Sequence, residues 1–183
     1  SSINENAGSS LTLTATLSGA VDETVTVTIG TAGTSTEGTD YTDGSGAVDD
    51  ITISAGSTTG TVNFTPTDDS VYEGDETAII SIDGVSGGDA SENGTQAVTI
   101  TITENESAPT VTLTTSATSI AENAGSSLTL TATLSGTTSQ DVTVALSSSS
   151  SATEGTDYGT VSDITITSGS TTGTASFTPT DDS

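Results

Sequence analysis

Carboxylates are the only charged side chains in this chain. It holds 25 aspartates and glutamates and no lysine, arginine, histidine or cysteine. That inventory closes most catalytic routes, because there is no imidazole, thiol or amine to act as base, nucleophile or oxyanion clamp. Paired carboxylates can cleave glycosides, but these are more crowded than that chemistry needs, and the chain is expected not to be an enzyme. Metal binding is the chemistry left. Zinc prefers His and Cys ligands. Magnesium dehydrates reluctantly and takes few protein ligands. Calcium accepts six to eight hard oxygens, mixing carboxylates with backbone carbonyls, and is the ion that this set of residues points to.

The spacing of the acids repeats. Ile3–Gly19 returns almost letter for letter as Ile120–Gly136, and Glu37-Gly38-Thr39-Asp40-Tyr41 returns as Glu154–Tyr158, both 117 positions on. Ile51-Thr52-Ile53 and Phe64–Ser70 return 113 positions on. A period that long marks a tandem array of whole domains, not a solenoid of short units.

Each copy alternates β-branched or aliphatic residues with threonine, as in Leu11, Leu13, Ala15 and Leu17, or Val98, Ile100 and Ile102. Period-two alternation between Gly-, Ser- and Asp-rich turns predicts half-buried strands. In the first copy these are B (about 10–18), C (23–30), D (49–54), E (60–65), F (76–83) and G (95–103), with strand A mostly missing. The second copy shows strand A at about 110–115 and ends before F and G. The expected fold is all-β: two tandem immunoglobulin-like β-sandwich modules of seven strands each, the second truncated before its last two strands. The boundaries are 1–106 for the first module, 107–109 for a linker and 110–183 for the second. The missing strands imply either a window on a longer array or strands donated by a neighbouring chain.

In such a sandwich the A–B, C–D and E–F turns and the exit of strand G share one pole. Of the first copy's acids, 13 fall at that pole and 5 at the other; the second copy divides 6 to 1. Two carboxylates about 4 Å apart repel by roughly 4 kcal/mol at an effective dielectric near 20, so a one-sided distribution calls for a divalent counter-ion. A net charge of −25 also argues against nucleic acid and anionic membranes as partners. No stretch approaches the ~20 apolar residues of a membrane-spanning helix.

Glu5-Asn6-Ala7-Gly8, Gly38-Thr39-Asp40-Tyr41, Asp68-Asp69-Ser70-Val71-Tyr72-Glu73-Gly74-Asp75-Glu76 and Ile100–Glu106 together resemble the Calx-beta domain. That module occurs in sodium–calcium exchangers, integrin β4 and large bacterial surface proteins. The resemblance implies a calcium cluster, several ions per complete module, held by Glu5, Asp40, Asp68, Asp69, Glu73, Glu76, Glu104 and Glu106 with the Val71 carbonyl. Asn105 departs from the pattern, which has a third acid there. The second copy retains Glu122, Asp157, Asp181 and Asp182. The implied function is a calcium-binding structural repeat of a secreted or cell-surface bacterial adhesin or filament, in which calcium stiffens modules and the joints between them. Its partners would be neighbouring modules of the same long chain, with other copies in a filament. The alternatives are a calcium-sensing regulatory module, or a filament subunit completed by strands from a neighbouring chain.

Overall fold

The computed structural model describes residues 1–182, so Ser183 of the predicted second module lies outside the described residues. Strands and turns account for it, with no helix among the described residues. The strands are β1 (Ser2–Asn4), β2 (Leu11–Thr16), β3 (Val25–Gly33), β4 (Tyr41–Thr42), β5 (Ile51–Ile53), β6 (Thr59–Pro66), β7 (Val71–Tyr72), β8 (Glu76–Ser86) and β9 (Ala97–Thr103). They continue with β10 (Val111–Thr115), β11 (Leu128–Leu134), β12 (Thr137–Thr138), β13 (Val142–Val144), β14 (Ile164–Ile166) and β15 (Thr172–Phe177). Contacts divide the chain into two compact units. One comprises Ser1–Asp69 with Gly74–Asn105; the other comprises Ser70–Glu73 with the residues from Glu106 onward.

The first unit has a five-stranded sheet in the order β1-β9-β8-β3-β5 and a three-stranded sheet in the order β2-β6-β4. The alternation seen in the sequence supplies the inner faces: Val25, Val27, Ile51, Ile53, Ile80, Ile100 and Ile102 are buried, while the threonines between them face outward or sit half-buried. Tyr41 stacks on Phe64 with ring centroids 4.6 Å apart. Gly60 lets the strands approach closely, since a Cβ there would lie 2.3 Å from the Thr52 carbonyl oxygen.

The strands depart from the limits expected from sequence in several places: β3 runs on to Gly33, and the short strands β4 and β7 stand where none is expected. Strand F runs on to Ser86, because the β3/β8 register shifts between Thr28 and Ile29 and Asp83 is absorbed as a bulge. The first residues also form a strand: Ser2–Asn4 pairs in parallel with β9, Ile3 opposite Ile102.

In the second unit β10, β11 and β15 form an antiparallel sheet, β13 pairs with β14, and β12 pairs in parallel with Val71–Tyr72. Ala132, Leu134, Ile164 and Ile166 make its core. Tyr158 stacks on Phe177 at 4.8 Å, repeating the aromatic pair of the first unit. Gly173 repeats the close approach of Gly60, with its added Cβ 2.5 Å from the Thr165 carbonyl oxygen.

Candidate metal centre

The strand registers carry the acids to one end of residues 1–106. Pairing of β1 with β9 continues past the strand, where the Glu5 N–H donates to the Thr103 carbonyl oxygen at 3.1 Å, so Glu5 lies beside Glu104. Antiparallel pairing places Glu76 opposite Ile102, at the same end. The Gly-Thr-Asp-Tyr turn is closed by the Gly38 N–H on the Tyr41 carbonyl (2.8 Å), and Gly38 takes φ 83°, which favours glycine. Within it, the Asp40 carboxylate accepts from the Thr36 N–H. The Thr67 N–H then donates to the Asp40 carbonyl at 2.9 Å, drawing the turn against the strand end that leads into Asp68 and Asp69.

The result is three groups of carboxylates, in each of which one oxygen per residue lies within 4.8 Å of the others: Glu5, Glu104 and Glu106; Glu5, Asp69 and Glu73; Asp40, Glu73 and Glu76. Glu5 belongs to two groups and Glu73 to two, so seven acids form one connected series. Glu5 is only 7% exposed, and one Glu106 carboxylate oxygen is shielded from solvent. Burying carboxylates beside one another is costly without a cation, and the chain has no Lys, Arg or His to supply one. Hard oxygens at this density match a calcium donor set.

Of the other expected ligands, Asp68 is exposed and accepts from the Asn105 side-chain amide at 3.4 Å. Asn105 thus supports an acid of the set. Val71 sits in β7 in register with Thr137. Asp75 was not expected as a ligand and acts by positioning: its carboxylate accepts from the Glu104 N–H at 3.0 Å, while Glu104 accepts from the Gly74 N–H at 2.9 Å.

The structure also separates acids that share this end of the sandwich. Glu37 accepts from the Val48 N–H (2.7 Å) and the Thr31 hydroxyl (3.0 Å), and Asp50 from the Ile29 N–H (2.9 Å). The second copy repeats both arrangements, Glu154 with the Val161 N–H and Asp163 with the Leu146 N–H. These acids fasten loops and strands. Asp43 is held below the usual aspartate range by the Ser45 N–H and then by the Ser45 hydroxyl.

The second unit rebuilds part of the arrangement. The Asp157 carboxylate accepts from the Thr153 N–H at 2.6 Å, and the Thr180 N–H donates to the Asp157 carbonyl at 2.9 Å. Glu122 is pushed above the usual glutamate range, first by a hydrogen bond with Asp182, then by the charge of Asp182 and, more weakly, by Asp181 and Asp157. Glu122 therefore has the other three expected carboxylates of this copy, Asp182, Asp181 and Asp157, within reach of its charge. A carboxyl with a raised folded-state pKa favours the fold below its unfolded pKa, and that contribution is lost as pH rises through the folded value. Without metal, Glu122 is thus expected to titrate above Asp43 in a carboxyl-detected NMR titration, and calcium is expected to lower the Glu122 midpoint. A Glu122 midpoint indifferent to calcium would place it outside any metal site.

A two-sheet β-sandwich bearing a carboxylate series at one end defines the class of protein. Residues 1–106 and 104–182 both match the Calx-beta domain, and the chain belongs to the Calx-beta family as two tandem domains. No curated protein matches it. Among solved structures it is similar to CBD12 from CALX1.2, with 19% identity and a TM-score of 0.45 over 97% of this chain and 71% of that one. It is also similar to calcium binding domain CBD12 of CALX1.1, with 18% identity and a TM-score of 0.45 over 99% of this chain and 73% of that one.

Proposed function

We propose that this chain is a calcium-binding structural repeat of a secreted or cell-surface protein of the adhesin or filament type. The observation that carries the reading is the series of three carboxylate groups joined through Glu5 and Glu73 in a chain without a basic side chain. Calcium would tie together the ends of β1, β6 and β9 and the start of β8, which are far apart in sequence. Bound ions would hold these turns as one rigid cap. Only Ser107-Ala108-Pro109 separates Glu106 from the following Thr110 and β10, so ordering Glu106 would also stiffen the joint between repeats. Threonine- and serine-rich strand faces suit a wet, inert spacer, and the absence of Lys and Arg leaves no trypsin sites.

Titration calorimetry and small-angle scattering test this together. Expected are dissociation constants of about 0.1–1 mM, the range of extracellular calcium modules, and a longer, stiffer particle with calcium than with chelator. Submicromolar affinity would favour a sensing role instead. An unchanged maximum dimension would remove calcium from the joint.

A further inference from the structure

β3 ends with Gly33 still paired to Ala78 of β8. The next two residues fold back onto that same neighbour. The Thr34 N–H (2.9 Å), the Ser35 N–H (3.1 Å) and the Ser35 hydroxyl (2.9 Å) all donate to the Thr77 carbonyl oxygen. The Thr77 N–H in turn donates to the Thr34 hydroxyl oxygen at 2.8 Å. Gly33 permits the close approach, since a Cβ there would lie 2.0 Å from the same carbonyl oxygen. Ser35 is 8% exposed, so little water can replace Thr77 as partner of its hydroxyl.

One residue further on, the Thr36 N–H donates to the Asp40 carboxylate, and the Asp40 N–H donates to the Thr36 carbonyl oxygen at 2.9 Å. Thr77 directly follows Glu76 in the chain. Thr34-Ser35-Thr36 therefore links the backbone beside Glu76 to the carboxylate of Asp40. Those two acids belong to one carboxylate group, together with Glu73. They come from distant parts of the sequence, and this tripeptide is a direct hydrogen-bonded connection between them.

We propose that Ser35 is a positioning residue for calcium, one that fixes the spacing of Asp40 and Glu76 before the ion arrives. The role rests on the calcium reading given above. Neighbouring carboxylates repel, and without a fixed frame they drift apart until the ion draws them back. A frame that already holds them removes part of that cost from binding. Calcium affinity follows the rigidity of a site as well as its ligand charge, and loss of a group that holds a ligand weakens metal binding about 10–100-fold. Ser35 is also a side chain that can be removed with the turn intact. In the second copy Ala152 stands where the first has Ser35, yet the Thr153 N–H still donates to the Asp157 carboxylate at 2.6 Å. The turn around Asp40 therefore forms without the hydroxyl. What the hydroxyl adds is a third bond to β8, on the strand that carries Glu76.

Ser35→Ala, read by carboxyl-detected NMR during a calcium titration of the full chain, tests this site by site. Glu104 and Glu106 share no carboxylate group with Asp40 and Glu76. The variant should weaken the calcium response of Asp40 and Glu76 about tenfold and leave that of Glu104 and Glu106 unchanged. An equal loss at all four acids would mean general loosening and overturn the proposal, as would no loss at Asp40 and Glu76. In a Glu76→Gln background Ser35→Ala should cost no further affinity, because residues that act through one another are not additive. A full second loss there counts against Ser35 acting through Glu76. Hydrogen exchange in EDTA supplies a metal-free readout. The Thr34, Ser35 and Thr36 amides of the parent chain should be protected, and Ser35→Ala should reduce that protection. Unprotected amides in the parent chain would show that nothing is held before the ion, and the proposal falls. A parent chain whose carboxylates ignore calcium sinks the calcium reading itself, whereas a variant that responds just as a responsive parent does sinks only the role of Ser35.

Discussion

Chelation is expected to lower the melting temperature of this chain by at least about 10 °C. A ligand that binds only the folded state at about 100 times its dissociation constant adds roughly 2.7 kcal/mol per site. For a domain of about 100 residues each kcal/mol moves the midpoint by roughly 4–8 °C, so one site already accounts for the expected drop and a second would double it. The unit's own resources are modest: its fully buried aromatics are Tyr41 and Phe64, and the rest of its core is aliphatic. Seven acids converge without a basic side chain nearby. Calorimetry in calcium, in EDTA and in EDTA with added sodium chloride checks the claim. Salt should partly restore the EDTA sample by screening the carboxylates, and magnesium at equal concentration should restore less than calcium. A midpoint that ignores EDTA would leave these acids as ordinary solvated turns.

Much of this was legible in the sequence, and what was not has physical causes. Alternation of Leu, Val and Ile with Thr marks strands because successive side chains face opposite ways, and β2, β6 and β9 fall where that pattern puts them. β1 carries no such signal: it is three residues long, and its partner Thr101 lies at the far end of the module. Yet it is β1 that delivers Glu5 to Glu104. The alternation places strand F at about 76–83, but a bulge absorbs Asp83 and the ladder continues to Ser86. The site was legible as an end of the sandwich, since turn order alone sorts the acids. Sequence could not separate Glu37 and Asp50 from Glu5 and Glu73. All are acids at the same end, and only the position of nearby backbone N–H groups shows that the first two fasten loops. The one available signal was their repetition with fixed neighbours, as Glu154 and Asp163, and it is shared by the ligand candidates.

The sharpest test of the series is a substitution whose sign reverses with calcium. Glu73 belongs to two of the three groups, whereas Glu76 belongs to one. Glu73→Gln should therefore weaken two sites and Glu76→Gln one, each by at least the roughly 10–100-fold that follows loss of contacts around a metal centre. In calcium, Glu73→Gln should lower the melting temperature more than Glu76→Gln does. Without calcium the same change removes a charge lying within 4.8 Å of acids in both of its groups. Like charges 4.8 Å apart repel by about 3.5 kcal/mol at an effective dielectric near 20. Glu73 is half-buried, and solvent screening reduces this to about 1 kcal/mol of relief, so the midpoint in EDTA should rise by several degrees. Acids that merely decorate a wet surface have no reason to change sign, because calcium would then be a bystander. Glu73→Gln measured by calorimetry in EDTA and in 10 mM calcium thus separates the two cases: opposite shifts support a metal centre, and shifts of one sign in both buffers count against it.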